Sequence, residues 1–308
     1  MDTSIHKKSN TALGVVFILL TQALWVSAVF FWKLLSDVDH FTILAAQLLF
    51  SFVIAFLGTV MTGRLKEIKT VLKSRSLVLR QIAASCCIAF NWGLYIIAVL
   101  TGHIVETSIS FYITPLCLIL AGVVFFREKI TKTAVAALIL SAVGVIFLAV
   151  SYGHFPIYAI LLTATFTAYS VLKKKIALST LPGITLDMAL WAPAALVWFV
   201  VSVVHPGSGV SLPAFTLVLL VLSGAVTVVP LMFYAGSCHR ISLGLIGIFS
   251  YFSPTAALLI GVYVFNEPFT VWHLVAFLLI WLGVIVFLLG NYVTARKTKR
   301  DRYDFPDP

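Results

Sequence analysis

The chain has 308 residues, of which 61% are hydrophobic and only 10% charged, a balance too apolar for a soluble domain. The formal net charge is +10, but the basic residues lie in short segments between apolar runs, so membrane topology explains them and no nucleic-acid partner is expected. Cys86, Cys87, Cys117 and Cys238 sit in or beside apolar runs without a CxxC spacing and read as buried free thiols.

A helix of about 20 residues crosses the roughly 30 Å hydrocarbon layer. Runs of that length predict an all-α polytopic membrane protein with ten spans, over residues 12–32, 42–62, 80–100, 106–126, 131–150, 155–172, 183–204, 213–235, 243–265 and 271–291. The polar stretch Met1 to Asn10 has no cleavage motif, so the first run reads as a retained helix. With the N-terminus inside, the inner segments hold 20 of the 21 Lys and Arg residues, and the outer segments hold only Lys33. That asymmetry predicts both termini in the cytoplasm of a cell membrane, plasma or inner.

The fourth and ninth runs carry one signal twice: Tyr112-Ile113-Thr114-Pro115 and Tyr251-Phe252-Ser253-Pro254, 139 residues apart. A proline within a helix removes a donor and frees a carbonyl, which a bilayer tolerates only against protein or a water-lined cavity. The same offset relates Gly122 to Gly261, Glu128 to Glu267, Thr131 to Thr270, Ala137 to Ala276 and Gly144 to Gly283. Five spans per half give the second half the opposite orientation, so the expectation is a 5+5 inverted-topology repeat, as in many secondary transporters. The divisions are 1–150 for the first five-helix repeat, 151–295 for the second and 296–308 for a cytoplasmic tail.

Asn91-Trp92 with Tyr95-Ile96-x-Ala98-Val99, then His103, Glu106-x-Ser108 and Tyr112-x-x-Pro115-Leu116, resembles the RarD branch of the EamA transporters, within the drug/metabolite transporter superfamily. Lys173-Lys174-Lys175, Val228-Val229-Pro230-Leu231, Arg240-x-Ser242-Leu243, Tyr251-x-x-Pro254-Thr255, Glu267-Pro268 and Phe277-x-x-Ile280-Trp281 extend the resemblance over nearly the whole chain. It implies a ten-helix permease whose third, fourth, eighth and ninth spans line a shared pathway. The chain departs from the family at Ala46-Gln47, where a His-Arg pair is usual, and at Asp187, where Glu is usual.

The residues expected to meet substrate are Asn91, Trp92, Tyr95, Tyr112, Thr114, Pro115, Tyr251, Ser253 and Pro254. Thr114 and Ser253 have the alternative of bonding back to their own helix, and Asn91 that of tying two helices together. The candidate charge and coupling groups are His103, Glu106, Asp187 and Lys33. Glu106 and Asp187 are expected near helix starts, where the dipole favours an acid; Lys33 is expected to snorkel to headgroups. Lys173 to Lys175 read as an inner anchor, and Glu128 and Glu267 as tight connections.

No metal, cofactor or nucleotide motif is legible. The reading is a secondary active transporter, not an enzyme, moving a small-molecule substrate across the lipid bilayer by alternating access, with protons as the coupling ion. A membrane-embedded enzyme and a non-transporting receptor or assembly subunit are the alternatives.

Overall fold

The computed structural model describes residues 3–100, 103–128, 131–151, 155–176, 178–204, 213–265 and 271–304. These form thirteen helices: α1 (Thr3–Lys33), α2 (His40–Met61), α3 (Leu65–Leu72), α4 (Arg75–Leu100), α5 (Ile104–Phe126), α6 (Lys132–Ser151), α7 (Ile157–Lys175), α8 (Thr180–Ala189), α9 (Ala192–Val204), α10 (Ala214–Cys238), α11 (Leu243–Ser250), α12 (Phe252–Phe265) and α13 (Val271–Asp304). Each of the ten expected runs is helical. By length and composition, α1, α2, α4, α5 and α10 each carry a stretch able to cross a membrane. The pair α8 and α9, bent by 61° at a short break, is a sixth if counted as one span. Val135–Phe147, Leu243–Ala256 and Leu274–Phe287 are shorter apolar stretches.

Proline chemistry sets the breaks. The run expected at 183–204 is two helices because Pro193, in the first turn of α9, has no N–H for the Ala189 carbonyl. The run at 243–265 is likewise interrupted at Tyr251, between α11 and α12. The short α3 was not expected. It reads LKEIKTVL, with Leu65, Ile68 and Val71 at helical spacing, and Val71 is buried.

Helix packing joins α6 to α13, α5 to α7 and α11, α10 to α1 and α2, α4 to α7, and α2 to both α8 and α9. The outer surface is apolar: Val124, Phe125, Val150, Val197 and Phe215 are all exposed, as a lipid-facing surface requires. Among the described residues four buried clusters fill the interior, and Trp25 and Trp92 each pack against two of them.

The 139-residue spacing recurs in the helix starts. Arg75, Ile104 and Lys132 open α4, α5 and α6, and Ala214, Leu243 and Val271 open α10, α11 and α13. Where α6 crosses α13, a Cβ on Gly144 would lie 3.0 Å from the Ala276 carbonyl oxygen, and one on Gly283 would lie 2.7 Å from that of Ala137. The contact therefore reads the same when the two stretches are exchanged, and small residues allow the close approach.

Candidate functional site

The two proline motifs meet. Tyr112 on α5 donates its hydroxyl to the Pro254 carbonyl at 3.4 Å. Gly247 on α11 covers the Pro115 carbonyl so closely that a Cβ there would lie 2.5 Å from the oxygen. The motifs nevertheless bend their helices differently. Pro115 lies inside the continuous α5. Pro254 lies in the first turn of α12, where no intrahelical donor is needed, so the expected second kink is a break.

Both tyrosines are buried, within one apolar cluster that includes Ile109, Leu116, Ile248 and Ile280. The Tyr251 hydroxyl sits beside Ser141 without a well-formed hydrogen bond. Thr114 donates back to the Ser110 carbonyl at 2.7 Å, easing the Pro115 bend, and lies 3.3 Å from the Thr163 hydroxyl on α7. Ser253 is half-buried. In the second motif the back-bond falls instead to Thr255, which donates to Tyr251 O at 2.7 Å and accepts from the Trp281 indole at 3.0 Å.

Asn91 is committed to a helix contact. Its amide donates to Leu162 O at 2.7 Å and to the Thr165 hydroxyl at 2.8 Å, joining α4 to α7. Trp92 is half-buried between two core clusters. Tyr95 is exposed, with its ring centroid 6.4 Å from that of Phe111. Sequence reasoning missed a central aromatic group: Trp25, Phe166, Tyr169 and Tyr234 lie with ring centroids 5.3–6.2 Å apart. Its members come from three helices far apart in sequence, so no local spacing announces it.

The charged groups depart furthest from expectation. Asp187 is fully buried in the last turn of α8, so it does not cap a helix start. It pairs with Lys173 of α7 at 2.8 Å. Lys173 is itself buried, so of the three lysines it is not an interfacial anchor. The Tyr169 hydroxyl donates to the same carboxylate oxygen at 3.1 Å, the Gln81 amide donates to the other, and Ser85 donates to the Asp187 carbonyl. Trp191 completes the group by donating to Ser85 O at 3.2 Å. Lys33 is exposed at the end of α1. His103 precedes α5, and its ring centroid lies 4.6 Å from that of Tyr158. Glu106 lies in the first turn of α5, but its side chain is outside the described residues, as are Glu267 and Thr270.

Two further carboxylates close the lysine-bearing end. Arg127 adopts the left-handed conformation, φ 51°, after α5. Glu128 then accepts from the N–H groups of Leu243 at 2.9 Å and Gly244 at 3.1 Å, the start of α11, and from Lys174 at 3.1 Å. Glu67 on α3 accepts from the backbone N–H of Ser179 at 2.9 Å and from its hydroxyl. Burial opposes ionisation of Glu67, but the two Ser179 bonds and the nearby Arg64 outweigh it and hold the carboxyl below its usual range. Among the described residues, no three His, Cys, Asp or Glu side chains gather as a metal site would require.

Residues 12–150 match the EamA-like transporter family. The chain is 33% identical over 296 residues to an uncharacterized transporter, YojE, of Bacillus subtilis, covering 94% of this chain and 98% of that protein. It is 30% identical over 294 residues to protein RarD of Streptomyces exfoliatus, covering 93% and 91%. It is 28% identical over 295 residues to protein RarD of Escherichia coli, covering 94% and 99%. A solved structure, described only as "Crystal structure of protein", superposes with a TM-score of 0.67 at 18% identity, over 93% of this chain and 99% of that one.

Proposed function

We propose, from the premise that this chain belongs to the RarD-type EamA-like transporter family, that it is a secondary permease working by alternating access between two five-helix halves. The protein is a multi-pass membrane transporter of a small molecule. The finer reading has ten spans in a 5+5 inverted repeat, both termini in the cytoplasm and a location in the cell membrane. The 139-residue recurrence of helix starts and the exchange-symmetric α6–α13 crossing support the repeat.

The observation that carries the mechanism is the contact between the two proline motifs, Tyr112 to Pro254. Equivalent irregular segments of two inverted halves are where such transporters bind substrate. Here they abut in a closed packing, which must part for a solute to pass. The substrate class is amphipathic or partly aromatic solutes, received between Trp92, Tyr112 and Tyr251 with Thr114 and Ser253 supplying hydroxyls. Asn91 and Pro115 shape the wall, and Tyr95 stands at its exposed edge. Protons are the coupling ion, with Asp187, His103 and Glu106 as candidate carriers; Lys33 lies on the outer side with His103 and Glu106, and Asp187 towards the inner side.

The test is a thermal-shift screen of purified protein against aromatic drugs and metabolites, followed by flux of each stabilising compound in proteoliposomes. Stabilising compounds that cross only when the protein is present support the reading. Binding without flux contradicts it.

A further inference from the structure

Lys173 and Asp187 form a buried ion pair at 2.8 Å between α7 and α8. Buried ion pairs are costly to desolvate, yet this one lies in no expected substrate contact. Both carboxylate oxygens are engaged: Lys173 and Tyr169 reach one and Gln81 the other. Only one end of the Gln81 amide is engaged. It donates through Nε2, while its Oε1 is buried and has no partner.

An ionised Asp187 needs a donor from Gln81, and a neutral Asp187 needs an acceptor for its own O–H. Rotating the amide by half a turn exchanges one for the other and gives the orphaned Oε1 a partner, at the expense of the 3.5 Å bond from Nε2 to the Gly183 carbonyl. The Tyr169 hydroxyl can donate in either state. Room for the lysine is equally specific: a Cβ on Gly183 would lie 2.8 Å from the Lys173 ammonium nitrogen.

We propose that Asp187 is the site at which this transporter takes up its coupling proton, and that Lys173 reports the event by leaving the pair. The proposal rests on the permease reading above and names its coupling residue. A proton from water adds to the Asp187 carboxylate, Gln81 turns to accept the new O–H, and the Lys173 ammonium loses its counter-charge. A buried ammonium without a partner is unfavourable. Lys173 lies in the last turn of α7 beside Lys174 and Lys175, so its stem can extend to the interface. That movement removes the ion-pair link between α7 and α8 and leaves the Tyr169 bond in place.

The neighbouring groups leave Asp187 as the titrating one. From α7 face Lys173 and Tyr169; from α4, Gln81 and Ser85; from the turn between α8 and α9, Trp191. From α2 the Thr59 hydroxyl meets that of Thr185 at 2.9 Å. From α3, Glu67 reaches Ser179 at the start of α8. From α10, Tyr234 and Cys238 lie in the cluster that holds Tyr169. His239, just past α10, is pushed below its usual range by burial and by Lys173, Arg240 and Lys174.

The test uses the full chain in lipid bilayers, with protons alone as ligand. Infrared difference spectra between about pH 4 and about pH 9 should show a protonated-carboxyl band that is missing in Asp187→Asn. Tyr169→Phe, which removes a donor to the ionised form, should move the midpoint upward by roughly a tenfold gain in proton affinity. At one fixed pH, an amine reagent read by peptide mass spectrometry should modify Lys173 faster in Asp187→Asn than in the parent protein. A band that persists in Asp187→Asn, or an unmoved midpoint in Tyr169→Phe with Lys173 equally protected, overturns the assignment. Substrate flux is not read, so failure here leaves the permease reading to its own test.

Discussion

The Tyr112 hydroxyl donates to the carbonyl of Pro254, 142 residues away in sequence, at 3.4 Å. Each residue belongs to one copy of the same four-residue signal. The bond is long and neutral, so it suits a contact that forms and breaks. Tyr112→Phe should lower stability by only about 0.5–1.5 kcal/mol while changing transport rate more than membrane abundance. Thermal unfolding and flux measured on the same preparation check this.

The Lys173–Asp187 pair should behave as a unit. Asp187→Ala leaves a buried ammonium without a counter-charge and should cost about 3–5 kcal/mol. Lys173→Met with Asp187→Leu removes both charges and should restore most of that loss. Chemical denaturation of the two variants in detergent is the measurement, and the double variant must be the more stable.

Glu128 holds the first N–H groups of α11 and the Lys174 ammonium at once. Glu128→Ala removes both a helix cap and an ion-pair partner, and should cost about 1–2 kcal/mol. Hydrogen exchange of the Leu243 and Gly244 amides should rise selectively, which a general loss of stability would not produce.

Glu67 gives a pH signature. Its folded carboxyl titrates below the ordinary value because the bonds from Ser179 and the charge of Arg64 outweigh burial. A depressed folded value means the stabilisation is complete above the unfolded carboxylate range, near about pH 4.3, and fades as pH falls through the folded value. Melting temperature measured against pH should therefore drop less steeply on the acid side in Glu67→Gln than in the parent.

Much of the fold was legible because it rests on local composition. Helix positions follow apolar runs, and the 139-residue offset followed from Pro, Gly and Glu recurring together. The break at Tyr251 was not legible, since Pro115 and Pro254 look alike in sequence, yet only one interrupts its helix. The partners of Asp187 were hidden for a different reason. Gln81, Tyr169 and Lys173 lie on two other helices, and three consecutive lysines read as one anchor until α7 turns Lys173 inward, Lys174 toward Glu128 and leaves Lys175 exposed. The back-bond role expected of both Thr114 and Ser253 was half legible: Thr114 fills it, and Thr255 fills it in the second motif.

The central claim is that the packing around the two proline motifs opens to each side of the membrane in turn. It is tested most directly by single cysteines placed at Thr114 and at Ser253 after replacing the four native thiols. Each is labelled with a membrane-impermeant maleimide in right-side-out and in inverted vesicles. Alternating access predicts labelling of both positions from both sides. Labelling from neither side, or from one side only under all conditions, would contradict it.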